Sequence, residues 1–250
     1  MRNNKGRKIL LREGKGDAMN RIFLSGDTHG ELDLDKVPQF FDDLLCYDMV
    51  DRNDYLIILG DAGILWDDGA QDQYVQQTLR DLPMTTLWLD GNHENFDLID
   101  QYPEDVWHGG RVQFIDEHII HLMRGQVYDI GGKTFFVFGG GNSIDKGSRT
   151  PRVSWWPEEM PGYEEYEEGH RNLEKVGNRV DYILTHTCPE SIAHQLVTYL
   201  YSGEEQLQRY LDVIAESTEY EEWYFGHWHL DDDLGRFHCL YDRVFELEYE

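Results

Sequence analysis

Three times in its first hundred residues the chain repeats one pattern: an apolar run stops at or beside a glycine, polar groups follow, and a helical segment comes next. The runs are Ile22-Phe23-Leu24, Tyr55-Leu56-Ile57-Ile58-Leu59 and Met84 to Leu89. The polar turns after them are Ser25-Gly26-Asp27-Thr28-His29-Gly30, Gly60-Asp61-Ala62-Gly63 and Asp90-Gly91-Asn92-His93-Glu94. An apolar run without polar alternation reads as a strand buried on both faces, the habit of parallel sheets. Between the runs, Val37 to Met49 carries a helical stripe at Val37, Phe40, Phe41, Leu44 and Leu45, and Asp72 to Leu82 reads as a helix stopped by Pro83. Successive strand–loop–helix units predict a parallel sheet with right-handed crossovers, and its polar loops would meet beyond the carboxyl ends of the strands.

The middle of the chain changes style. Short alternating runs between Val112 and Phe138, punctuated by Gly125 and Gly131-Gly132, predict an antiparallel meander forming a second sheet rather than a second domain. Gly139-Gly140-Gly141-Asn142-Ser143 then opens a long irregular loop, Ile144 to Pro161. Tyr163 to Val176 predicts a helix whose early glutamates suit the positive end of its dipole. Asp181 to Thr185 is a further strand, ending at His186; helices follow from Glu190 and Glu204. Glu222 to Phe225 leads through Gly226 into His227-Trp228-His229, and Gly235–Leu240 and Arg243–Tyr249 predict closing strands. Residues 1–18 read as an N-terminal tail, basic around too short an apolar run for a signal peptide, and 19–250 as one domain.

Charge narrows the function classes. The formal net charge is −27, from 49 acidic and 22 basic residues, a field that repels long nucleic acid and anionic membranes over roughly 8 Å at physiological salt. An anionic small substrate is still admissible where bound cations reverse the local sign. Three scattered cysteines, Cys46, Cys188 and Cys239, form neither a CxxC pair nor a disulfide framework, which fits a reducing cytoplasm. No stretch is apolar for long enough to span a bilayer.

Collected in order, the strand-end polar groups are Asp27, His29, Asp61, Asn92, His93, His186, His227 and His229. Imidazoles, two carboxylates and an amide oxygen suffice for two adjacent divalent ions sharing one carboxylate. Mixed nitrogen and oxygen donors suit Mn, Fe, Zn, Ni or Co better than Ca or Mg, and the lack of cysteine argues against a closed structural zinc site.

These blocks, Gly26-Asp27-Thr28-His29-Gly30, Gly60-Asp61, Gly91-Asn92-His93-Glu94, Thr185-His186 and Gly226-His227-Trp228-His229, resemble in kind and order those of the calcineurin-like metallophosphoesterase superfamily. The resemblance implies a four-layer α/β/β/α sandwich, two mixed sheets flanked by helices, with the site at one sheet edge. It also implies roles. Asp27, His29 and His229 would hold one ion, Asp61 would bridge, and Asn92, His186 and His227 would hold the second. His93 would protonate the leaving group, while a metal-bridging hydroxide attacks phosphorus in line.

The chain departs from the protein-phosphatase branch of that superfamily. Ile64 and Leu65 stand where that branch has an Asp and an Arg, and Asp90 stands where an Arg commonly precedes the Gly-Asn-His block. This weighs against activity of that type and leaves the partner of His93 open, with Asp90 a candidate. A replacement phosphate clamp is expected in the Gly139–Pro161 loop, at Arg149 or else Arg152, with Trp155 or Trp156 as a stacking face. The alternative is that these arginines pair with acidic neighbours and the tryptophans fill the core. His108, His118, His121, His170, His194 and His238 lack a strand-end glycine block and read as packing or surface residues, and Cys188 as a packing residue. Glu94 is expected to hydrogen-bond groups behind the ligands. The expected function is hydrolysis of a phosphate monoester or small nucleotide-like phosphodiester. An atypical protein phosphatase and a non-catalytic scaffold are the alternatives.

Overall fold

Alternation hidden inside the apolar runs explains the layering. In the computed structural model, which describes residues 20–45 and 50–248, the first three runs form strands β1 (Ile22–Ser25), β2 (Tyr55–Leu59) and β3 (Thr85–Leu89), connected by helices α1 (Lys36–Leu45) and α2 (Ala70–Asp81). They pair in parallel in the order β1-β2-β3. Phe23, Leu56, Ile58 and Trp88 face a core shared with Val37 and Phe41 of α1 and Val75 and Leu79 of α2. Their neighbours Ile22, Leu24, Ile57, Leu59, Leu87 and Leu89 face the other way. Both faces are covered, so the strands show no polar alternation.

After β3 come α3 (Phe96–Ile99), β4 (Glu104–Trp107), β5 (Gly110–Asp116), β6 (Ile119–Leu122), β7 (Gln126–Ile130) and β8 (Lys133–Phe138). The chain continues through α4 (Tyr163–Lys175), β9 (Tyr182–Thr185), α5 (Glu190–Leu196), α6 (Glu205–Ser217), β10 (Glu222–Phe225), β11 (Asp232–Leu234), β12 (Phe237–Cys239) and β13 (Val244–Glu246). A seven-stranded sheet runs β13-β1-β2-β3-β6-β5-β4 and a six-stranded one β11-β12-β10-β9-β8-β7. Phe135, Val137, Tyr182, Leu184 and Tyr224 of the second sheet meet the inward residues of the first. Phe136, Phe138, Ile183, Trp223 and Phe225 pack on Tyr166 and Leu173 of α4 and on Leu207, Leu211 and Ile214 of α6. Three apolar layers therefore separate helix, sheet, sheet and helix, which is the expected four-layer arrangement of mixed sheets.

The predicted meander is corrected. It does not form one sheet: the β5–β6 hairpin joins the first sheet, with β6 parallel to β3, while β7–β8 joins the second, with β8 parallel to β9. The chain crosses between sheets at Met123–Gly125, where Gly125 takes φ +71°. Alternation reports hairpin pairing but not the distant strand on which each hairpin docks. The closing segments divide likewise, β12 pairing with β10 and β13 with β1. The expected tail, the end of the first helix beyond Leu45 and Cys46 lie outside the described residues. Among the described residues no helix is long and apolar enough to cross a membrane.

Candidate metal centre

The carboxyl ends of β1, β2, β3, β9 and β10 converge at one edge of the two sheets and carry Asp27, Asp61, Asn92, His186 and His227 there. Two glycines let the carboxylates in. A Cβ on Gly91 would lie 2.1 Å from Asp61 Oδ1, and one on Gly226 would lie 2.3 Å from Asp27 Oδ1. His29, Asp61, His227 and His229 all have positive φ, between 43° and 67°. Left-handed backbone in a non-glycine residue costs on the order of 1–3 kcal/mol and collects where function requires it. Fully buried Phe23, Leu59, Leu89 and Phe225 in the strands beneath anchor these turns.

Asp61 stands at the middle. Its Oδ2 lies 3.5 Å from His29 Nε2 and its Oδ1 lies 3.4 Å from His186 Nε2, so one oxygen faces each side of the cluster. Oδ1 also accepts the His93 backbone N–H at 2.7 Å. Burial disfavours its ionised form, but His186, His29 and His93 outweigh burial and hold the carboxyl well below the usual range.

On one side, Asp27, His29 and His229 present donor atoms all within 4.8 Å of one another. Asp27 is fully buried. Its Oδ1 accepts the His227 backbone N–H, whereas Oδ2, 3.1 Å from His229 Nε2, is in hydrogen-bond geometry with nothing. Burial opposes its charge, yet His229 and His186 bring its pKa below the ordinary value. His29 Nδ1 lies 3.1 Å from Asp33 Oδ2, an oxygen that accepts its proton and turns Nε2 toward Asp61. Burial opposes the imidazolium of His29, but Asp61 and Asp27 raise its pKa to about 9. The His229 ring stacks on Tyr241 at 4.6 Å between centroids.

On the other side, His186 donates from Nδ1 to the Leu59 carbonyl at 2.7 Å, which turns Nε2 inward. That atom meets Asn92 Oδ1 at 3.1 Å, His227 Nδ1 at 3.2 Å and Asp61 Oδ1 at 3.4 Å. Asn92 is oriented by its Nδ2 donating to Ser143 Oγ, so its carbonyl oxygen points inward. Nitrogen and oxygen atoms from four residues converging this closely suit a cation at their centre. The donor sets on both sides therefore fit divalent ions with mixed nitrogen and oxygen ligation. His227 Nε2 lies 3.2 Å from Glu204 Oε1, and with burial opposing, Glu204 raises the pKa of His227 to about 9.

His93 sits beside this cluster, its ring 5.8 Å from that of His29. Arg149 Nη1 donates to His93 Nδ1 at 2.8 Å and to the Ser154 carbonyl at 3.1 Å, Arg149 Nη2 lies 3.4 Å from His93 Nε2, and Arg149 Nε pairs with Asp145. Burial, reinforced by the charge of Arg149, lowers the pKa of His93. The partner of His93 is thus Arg149 and not Asp90, which is taken by Arg124 at 2.7 Å and His121 at 3.3 Å. Of the other loop candidates, Arg152 pairs with Asp97 and Glu158 at the surface. Trp156 is buried against Trp66 with its indole N–H on Asp97, so it fills the core. Glu94 is fully buried and accepts the Ala62 N–H at 2.9 Å, bracing the second polar loop from behind. Cys188 is buried in the core of the second sheet, where burial pushes its thiol pKa well up.

Three contributors had no sequence signal read for them. Asp33, four residues beyond His29, could have been found from that spacing. Glu204 looked only like the start of a helix, and Tyr241 like part of a loop between strands; their positions follow from contacts 23 and 12 residues away.

The model of the calcineurin-like phosphoesterase family matches residues 20–231, a span containing all five blocks. No curated protein matches the chain. Solved structures similar to it include the phosphopantetheinyl hydrolase of Mycobacterium tuberculosis, 17% identical over 92% of this chain and 96% of that one, with a TM-score of 0.49. Another is TT1561 of Thermus thermophilus, 13% identical over 92% of this chain and 98% of that one, with a TM-score of 0.48. With the matched span supplying all the aspartate, asparagine and histidine side chains that meet at the sheet edge, this chain belongs to the calcineurin-like phosphoesterase family, hydrolases that act on phosphate esters with divalent metal ions.

Proposed function

We propose that residues 19–250 form one domain that hydrolyses a phosphate monoester or a small, nucleotide-like phosphodiester with two divalent transition-metal ions. Asp27, His29 and His229 would hold one ion, Asn92, His186 and His227 the other, and Asp61 both. The observation that carries this reading is the placement of Asp61, one oxygen toward His29 and the other toward His186. When bound, the ions supply Lewis acidity toward phosphoryl oxygens and make water a competent nucleophile near neutral pH.

The remaining work falls to this chain's own side chains. Once substrate draws Arg149 away from the His93 ring, His93 can take up a proton and, as the imidazolium, give it to the departing oxygen and return to the neutral ring; such donation is typically worth about 10²–10⁴-fold. Arg149 itself, a cation beside the cluster in a chain of net charge −27, offers the phosphate a bidentate partner once substrate displaces its internal contacts. The same net charge disfavours long nucleic acid as substrate.

The test is hydrolysis of p-nitrophenyl phosphate and bis-p-nitrophenyl phosphate with Mn, Fe, Zn, Ni or Co supplied. Turnover that disappears in Asp61→Asn supports the proposal. A protein inert toward every ester with every ion is instead a metal-binding scaffold.

A further inference from the structure

Glu204 lies outside every block that marks the family, at the residue before α6, yet it is 5% exposed and spends both carboxylate oxygens inside the site. Oε1 accepts the Asn142 backbone N–H at 2.9 Å and lies 3.2 Å from His227 Nε2. Oε2 accepts the Thr187 hydroxyl at 3.0 Å and the Gln208 amide at 2.7 Å. An ionised carboxylate taken out of water costs several kcal/mol unless its oxygens are satisfied, and here four donors satisfy them. Two of these come from the residue after His186 and from the loop that opens toward Arg149. The arrangement is a buried carboxylate braced on three segments and aimed at one imidazole nitrogen.

We propose that Glu204 is a positioning residue for the second ion: by taking the Nε2 proton of His227 it fixes that ring as an Nδ1 ligand and holds it toward His186. The proposal rests on the two-ion reading of the site. An imidazole has two nitrogens, and the one that does not bind metal selects the tautomer through its own hydrogen bond; partners of this kind typically change metal affinity by about 10–100-fold. His186 is oriented by a backbone carbonyl, that of Leu59, which no side-chain substitution removes. His29 is oriented by Asp33, whose side chain is 34% exposed. Glu204 is the buried, charged counterpart of these two. It also ties the second ion to the Asn142 end of the Arg149 loop, so that metal occupancy and loop position depend on one carboxylate.

Two measurements test this without relying on turnover. Equilibrium dialysis of Glu204→Gln against Mn or Zn, with bound metal counted per chain and folding checked by circular dichroism, should show one ion bound as in the wild type and the other about 10–100-fold more weakly. In the Zn-loaded wild type labelled with ¹⁵N-histidine, long-range ¹H–¹⁵N spectra should assign His227 as metal-bound at Nδ1 and protonated at Nε2. The second measurement decides the matter if the variant does not fold. Equal weakening of both ions, unchanged binding of both, or a His227 bound through Nε2 would overturn the proposal. A wild type that takes up a single ion removes the two-ion reading, and this inference with it; a wild type with two ions and an unaltered Glu204→Gln removes the inference alone.

Discussion

The two sides of the cluster differ in how firmly their side chains are held. His186 is completely buried and locked by the Leu59 carbonyl, Asn92 is turned by Ser143, and His227 faces Glu204. Across Asp61, the side chain of His229 is 49% exposed and rests on Tyr241, and His29 is steadied by the partly exposed Asp33. A ligand whose rotamer is fixed before the ion arrives loses little freedom on binding, whereas a mobile one loses more. On the two-ion reading, the Asn92–His186–His227 side is the more preorganised, closed seat, and the Asp27–His29–His229 side is, at His229, the more open one. Ions should exchange faster on the open side.

The largest expected effect comes from removing what the sides share. Asp61→Asn should lower turnover by about 10³-fold or more, the upper end for loss of one preorganised electrostatic element. Steady-state kinetics on p-nitrophenyl phosphate checks this; a loss confined to one side would leave substantial activity.

Next comes a substitution that should separate site from scaffold. Asp90 follows β3 as Asp61 follows β2, yet it serves Arg124, so Asp90→Asn should destabilise the fold by about 2 kcal/mol, because the buried guanidinium loses its nearest charged partner and keeps only Glu165. It should do so while metal stoichiometry stays unchanged, as thermal unfolding and metal counting would show. Burial raises the Asp90 pKa, but Arg124 and His121 prevail and hold it at about 2. A depressed carboxylate contributes stability that is full above its unfolded value near 4 and is lost as pH falls through about 2. Acid unfolding of the wild type should therefore steepen in that window, and Asp90→Asn should flatten it.

Within the cluster, His186→Ala should weaken its ion more than His229→Ala weakens the other, by roughly 10-fold or more given the scale of oriented ligands. Isothermal titration with Mn would reverse the comparison if His229→Ala proved the more damaging. The smallest change is Tyr241→Leu, which removes a stacking face from His229 worth about 1 kcal/mol. It should shift affinity on the open side by several-fold and leave the closed side alone.

The five strand ends were legible because apolar runs and glycines mark where a parallel sheet delivers its polar groups, and the structure brings Asp27, His29, Asp61, Asn92, His186, His227 and His229 to one edge. What escaped was set by tertiary contact. Asp90 and Asp61 look alike in sequence, both beside a glycine at a strand end; only the fold reveals that Arg124 reaches one and imidazoles surround the other. The division of the β5–β8 segment between two sheets depends on β3 and β9, which local alternation does not encode. The short α3, β4 and β11 carry too few residues for a periodic signal. Glu204 was read as the start of a helix because nothing near it in sequence announces a histidine 23 residues on.

The central claim is that one chain holds two ions through Asp61. Metal counting by mass spectrometry after equilibrium dialysis, run alongside hydrolysis of p-nitrophenyl phosphate, tests it most directly. The account predicts two ions per wild-type chain, with activity appearing only as the second is taken up, and loss of both stoichiometry and turnover in Asp61→Asn. Full activity with a single bound ion, or two ions retained by Asp61→Asn with undiminished turnover, would contradict it.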